Sequence, residues 1–107
     1  MNFPADETGQ VLAEMQQAGI DLNVAHDVVF FHLFEQQTQA QAMADFIKDN
    51  MSNVKLSLHA DETPNVWDLD CTVNMVPSYD AVVQQESDFE QLVTKFSGYN
   101  DGWGIEA

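Results

Sequence analysis

Residues 67–75 read Trp-Asp-Leu-Asp-Cys-Thr-Val-Asn-Met, so every second side chain is apolar and every intervening one is polar or acidic. Successive side chains on a β-strand point to opposite faces, and such a run fits a strand with one packed face and one wet face. Val54, Leu56 and Leu58 alternate in the same way with Lys55, Ser57 and His59. Between the two runs lies Asp61-Glu62-Thr63-Pro64-Asn65, a cluster of turn formers, and the pair is expected to form a hairpin. A sheet with one oily side needs a second layer to cover it.

Helical spacing elsewhere supplies that layer. Ala40, Met43, Ala44, Ile47 and Met51 recur at steps of three and four, which predicts a helix over about 37–50. A longer helix opens at Pro77-Ser78 and ends at Ser97-Gly98, with Val82, Phe89, Val93 and Phe96 in its apolar stripe. A shorter one runs from about Asp6 to Ala18 and stops at Gly19, a residue suited to a left-handed cap. The β-branched and aromatic run from Val28 to Phe34 reads as a first strand, and Trp103-Gly104-Ile105 as a short last one after the turn Asn100-Asp101-Gly102.

The order is a helix followed by β-α-β-β-α-β. Two split βαβ units of this kind predict an α+β, ferredoxin-like fold, a four-stranded antiparallel sheet with both crossover helices on one face and an extra N-terminal helix. At 107 residues one domain is expected over 1–107, with residues 1–26 as the N-terminal helix and connector. In this register Val29, Phe31 and Leu33 pack under the helices with Leu56, Leu69, Cys71 and Val73. Phe30, His32 and Phe34 then emerge on the open face beside His59, Asp68 and Asp70, where the N-terminal helix is expected to cover Phe30 and Phe34.

Charge narrows the function. Eighteen Asp and Glu face three basic residues, Lys48, Lys55 and Lys95, giving a formal net charge of -15. Nucleic-acid affinity rests on cations that displace condensed counterions, so direct RNA or DNA binding is disfavoured, as is an anionic membrane surface. A basic protein segment is the partner such a field attracts. A lone cysteine, Cys71, and an N-terminus without basic and apolar leader segments lead to the expectation of a cytoplasmic protein.

Chemistry has little to stand on. Cys71 falls on the apolar side of its strand with no histidine expected beside it, so a nucleophilic hydrolase is not indicated. His32, His59 and Asp70 offer imidazole and carboxylate ligands, which keeps a small-ligand or divalent-metal domain on the open face as the alternative reading, though they form no tight ligand motif. His26 reads as a surface residue. The glycines from Gly98 to Gly104 neither follow a strand nor open a helix as a phosphate loop does. No enzyme activity and no cofactor are expected.

The closing segment Phe96-Ser97-Gly98-Tyr99-Asn100-Asp101-Gly102-Trp103-Gly104 resembles the signature of the regulator of ribonuclease E activity B (ribonuclease E inhibitor) family. Gly19-Ile20-Asp21 after the first helix, His32 near the end of the first strand and the Trp67-led strand with small Cys71 are also similar to that family. The resemblance implies a non-enzymatic inhibitor or modulator that binds an endoribonuclease of the ribonuclease E type. The resemblance associates that activity with a strongly acidic tail after the Trp turn, which is not expected here from a sequence that ends at Glu106-Ala107. Tyr99, Asp101, Gly102 and Trp103 are expected to act structurally, since a turn glycine and a packed indole fix a last strand. Asp68, Asp70, Asp101, Phe30 and His32 are the expected contacts for the partner.

Overall fold

The structure is a computed structural model that describes residues 6–106; residues 1–5 and 107 of the expected domain lie outside the described residues. Its elements are α1 (Glu7–Gln17), β1 (His26–Phe34), α2 (Gln37–Asn50), β2 (Val54–Ala60), β3 (Trp67–Met75), α3 (Tyr79–Lys95) and β4 (Tyr99–Glu106). The strands form one antiparallel sheet in the order β2-β3-β1-β4, with β1 and β3 at its centre as expected.

Local chemistry sets where the helices begin and end. Asp6 caps α1 by accepting from the Gly9 N–H at 2.8 Å, and Ser78 caps α3 by accepting from Ala81. Both helices close in the same way. The Gly19 and Ser97 N–H groups return to the carbonyls of Gln16 and Thr94, and those of Ile20 and Gly98 reach back one residue further, to Met15 and Val93. The left-handed residue that ends α1 is Gly19, at φ 95; at the end of α3 it is Ser97, at φ 63. Gly98 has a different task, because a Cβ there would lie 2.5 Å from the buried Phe34 ring and 2.7 Å from the Val93 side chain.

α2 lies over β2 and β3 and α3 over β1 and β4, so both helices cover one face of the sheet. Between the layers sit Met43 and Ile47 of α2, Phe89 and Val93 of α3, and Leu69, Cys71 and Val73 of β3, all buried. β1 contributes Val28, Phe30 and Phe34, which corrects the expected facing of this strand. Phe30 pairs with Cys71 and packs at 5.3 Å against Phe89, while Phe31 pairs with Asp70 and Leu33 with Asp68 on the other side. β1 carries aromatic and aliphatic side chains on both faces, and the polar His32 among them turns inward, so the period of two does not say which face is buried. Fully burying a ring such as Phe30 contributes about 2–3 kcal/mol.

Two further expectations change. α1 packs on α3, placing the buried Leu12 on the helical side of the molecule, and Phe30 and Phe34, which it was expected to cover, lie in the core instead. The segment Asn100-Asp101-Gly102, read as a turn before a short strand, is an irregularity inside the longer β4, where the register with β1 shifts between Phe30 and His32.

Candidate functional site

The wet face of the sheet is built by three strands. β3 supplies Asp68, Asp70, Thr72 and Asn74, β2 supplies Lys55, Ser57 and His59, and β1 runs between β3 and β4 with Val29, Phe31 and Leu33. An apolar central strand is therefore flanked by carboxylates. Asp68 lies 3.3 Å from His59 Nε2, and burial followed by the facing Asp61 raises its carboxyl above the ordinary range. Asp61 moves the other way, held down chiefly by the Thr63 backbone N–H at 2.9 Å. Asp70 is raised by desolvation first, partly offset by His59. A hollow of about 250 Å³ opens over this face, lined by Val29, Phe31, Asp70 and Thr72 and closed at the β4 side by Gly104 and Glu106.

A larger hollow, about 550 Å³, lies where α1, α3 and the irregular part of β4 meet. Glu7, Thr8 and Val11 line it from α1, Glu86 from α3, and residues 100–103 from β4. Phe31 lines it too, so this one ring borders both hollows. Gly102 stands at φ 94 with open space around its α-carbon, and its N–H bonds to the Asn100 side chain at 3.0 Å. Glu86 is half-buried, and desolvation raises its carboxyl against the opposing hydrogen bond from Asn100. Among the described residues, no basic side chain lines either hollow.

The expected site residues divide between the two faces. Asp68 and Asp70 stand on the wet face, and Asp101 is exposed at the rim of the larger hollow. Phe30 and His32 do not reach either surface; each is 1% exposed, within the core. His32 points its Nδ1–H at the Leu69 carbonyl, 3.2 Å away, and meets Phe89 edge-on at 5.5 Å. Burial pulls its pKa down to about 4, so the ring is neutral at neutral pH. Being on the helical side, it cannot join His59 and Asp70 in a common ligand set. His26 donates from Nε2 to the Asp21 carbonyl at 2.6 Å.

His32 does bring an imidazole next to Cys71, against expectation, with Sγ 3.8 Å from Nδ1. That nitrogen already carries the proton given to Leu69, so it cannot accept one from the thiol. Burial, and then the charge of Asp70, pushes the thiol up to about 12 and keeps it protonated. Of the closing signature, Trp103 sits opposite Phe30 and packs on the core, whereas Tyr99 is exposed and donates to Glu35 at 3.3 Å.

Glu7, Glu86 and Phe31 are site residues that sequence reasoning passes over. Glu86 and Glu7 meet only because α1 docks on α3, a contact with no local signature, and the expected register of β1 puts Phe31 on its other side. The pair Gly102 and Gly104 flanking a tryptophan was the available signal for open space at this edge.

Comparison with known proteins gives one result. A model of the family described as Regulator of ribonuclease activity B matches residues 5–105. No curated protein matches the chain. The matched span runs from α1 through β4 up to Ile105, including the segment from Phe96 to Gly104 that carries the resemblance, and the chain belongs to the family of regulators of ribonuclease activity B.

Proposed function

We propose that this chain is a one-domain, non-enzymatic regulator that binds an endoribonuclease of the ribonuclease E type and inhibits or modulates it through its acidic surface. The observation that carries this reading is the match over residues 5–105 to a family of regulators of ribonuclease activity. Asp68, Asp70 and Asp101 are its contact residues, offered to a basic segment of the nuclease, since a chain at -15 attracts cations and repels RNA. The strand order β2-β3-β1-β4 supports a ferredoxin-like reading of the fold, with the open face free to dock. A buried, reduced Cys71 and the lack, among the described residues, of any helix long and apolar enough to cross a membrane suit a cytoplasmic setting.

The test is cleavage of a fluorescent RNA by a purified ribonuclease E-type enzyme with increasing amounts of this protein, beside direct binding in a graded salt series. Reduced or redirected cleavage, no cleavage by the protein alone, and binding that weakens steeply with salt are expected. Unchanged cleavage and no association would reject the proposal.

A further inference from the structure

The two hollows share a wall, and their chemistry is the same. Phe31 borders both, and a Cβ on Gly104 would lie in ordinary van der Waals contact with its ring, 3.7 Å from Cε2. Asp70 and Glu106 stand at the hollow on the sheet face, and Glu86 and Asp101 at the hollow under α1. Their linings are apolar and aromatic: Val29 and Phe31 on the open face, and Val11 and Trp103, whose ring lies on the Phe30 side of β4, beside Phe31 in the hollow under α1. Asp70 and Glu86 are both held above their ordinary carboxyl values, first by desolvation.

We propose that Phe31 is the centre of one continuous docking track, from the hollow at Asp70 to the hollow at Glu86, that holds a basic, amphipathic segment of a protein partner. This rests on the functional reading above and states what the partner's segment must contain. Charge complementarity selects the occupant: the rims offer carboxylates with no lysine among the described lining residues, and the floor offers rings and aliphatic side chains. Arginine suits it best, because a guanidinium forks onto a carboxylate and also stacks on an aromatic face such as Trp103. RNA fits the floor but is repelled by the rims. A second copy of this chain brings the same negative charge and is repelled as well.

Gly104 gives the means of testing it. Its φ lies outside the left-handed region, so Gly104→Val is compatible with the strand, fills the passage beside Phe31 and leaves every carboxylate in place. The full chain, its Gly104→Val variant and the Asp70→Asn and Glu86→Gln variants are titrated calorimetrically with a synthetic peptide of alternating arginine and leucine, with thermal melts to verify folding. The track requires that Gly104→Val weaken the peptide about tenfold or more and each charge variant severalfold, with single-stranded RNA failing to compete. Equal affinity for the wild type and a folded Gly104→Val variant overturns the track. If that variant does not fold, unchanged affinity in both charge variants overturns it instead. A peptide that does not bind while the nuclease is still regulated rejects the track alone; loss of both rejects the functional reading beneath it.

Discussion

Lowering the pH from 7 towards 4 asks His32 to take up a proton inside the core. Its ring is 1% exposed, its Nδ1–H is committed to Leu69, and Phe89 and Cys71 occupy the space beside it. Its pKa falls from 6.5 in the unfolded chain to about 4 in the fold. In that window the unfolded state binds the proton and the folded state does not, so stability is full above pH 6.5 and drains away as the pH falls to about 4. At about 1.4 kcal/mol for each tenfold change in proton affinity, the gap is worth about 3 kcal/mol, a large part of the stability of a small domain.

Carboxylates titrate nearby and must be separated from it. Asp6 and Asp61 are held low in the fold, so their contribution is present above about 3.8 and lost below it; Asp68, Asp70 and Glu86 are held high, so their ionisation destabilises the fold as the pH rises. A His32→Leu variant keeps all of them and removes only the imidazole. Urea unfolding followed by tryptophan fluorescence, at intervals from pH 7.5 to 4, yields the difference between the two proteins. At pH 7 the variant should be less stable by about 1 kcal/mol, for the lost bond to Leu69. By pH 4 the order should reverse, with a total swing of about 3 kcal/mol. A difference that stays flat to within about 0.5 kcal/mol would refute a buried neutral His32.

Four other outcomes follow from the packing. Gly98→Ala forces a methyl into the Phe34 ring and should destabilise by about 2–3 kcal/mol, an effect that shrinks in a Phe34→Leu background; equal effects in both backgrounds would exclude the clash. Gly102→Ala meets no neighbour and should lose only about 1 kcal/mol through its positive φ, with Gly102→Asn losing less, as chemical unfolding will show. Ser78→Ala should lower stability by about 1 kcal/mol by uncapping α3, measured the same way. Native Cys71 should resist a thiol reagent at neutral pH until denaturant is added, and rapid labelling of the folded protein would contradict its burial.

Much of this architecture is written in local patterns. The alternation of residues 67–75 and 54–58 puts Leu69, Cys71 and Leu56 under the helices and Asp68, Asp70 and Ser57 outside, as the register of β2 with β3 shows. The limits of α2 and α3 follow from apolar spacing and a serine cap. β1 escapes this logic. Its residues satisfy either face, and the choice is made at long range: Phe89 receives Phe30, the space left by Gly98 receives Phe34, and the Leu69 carbonyl receives His32. That single inversion removes Phe30 and His32 from the candidate surface and brings Phe31 into it. The hollow under α1 was unreadable for a related reason, since the docking of one amphipathic helix on another leaves no mark at Glu7 or Glu86.

The open sheet face is the claim on which the functional account turns, and hydroxyl-radical footprinting of the protein with and without a ribonuclease E-type enzyme tests it directly. Phe31 and Leu33 on that face and Trp103 at its edge report on the proposed contact, while Phe46 and Val83, 43% and 37% exposed on the helices, report on the opposite side. Protection of Phe31, Leu33 and Trp103 with unchanged labelling of Phe46 and Val83 is the predicted pattern. Protection confined to Phe46 and Val83 would place the partner on the helices and contradict the account.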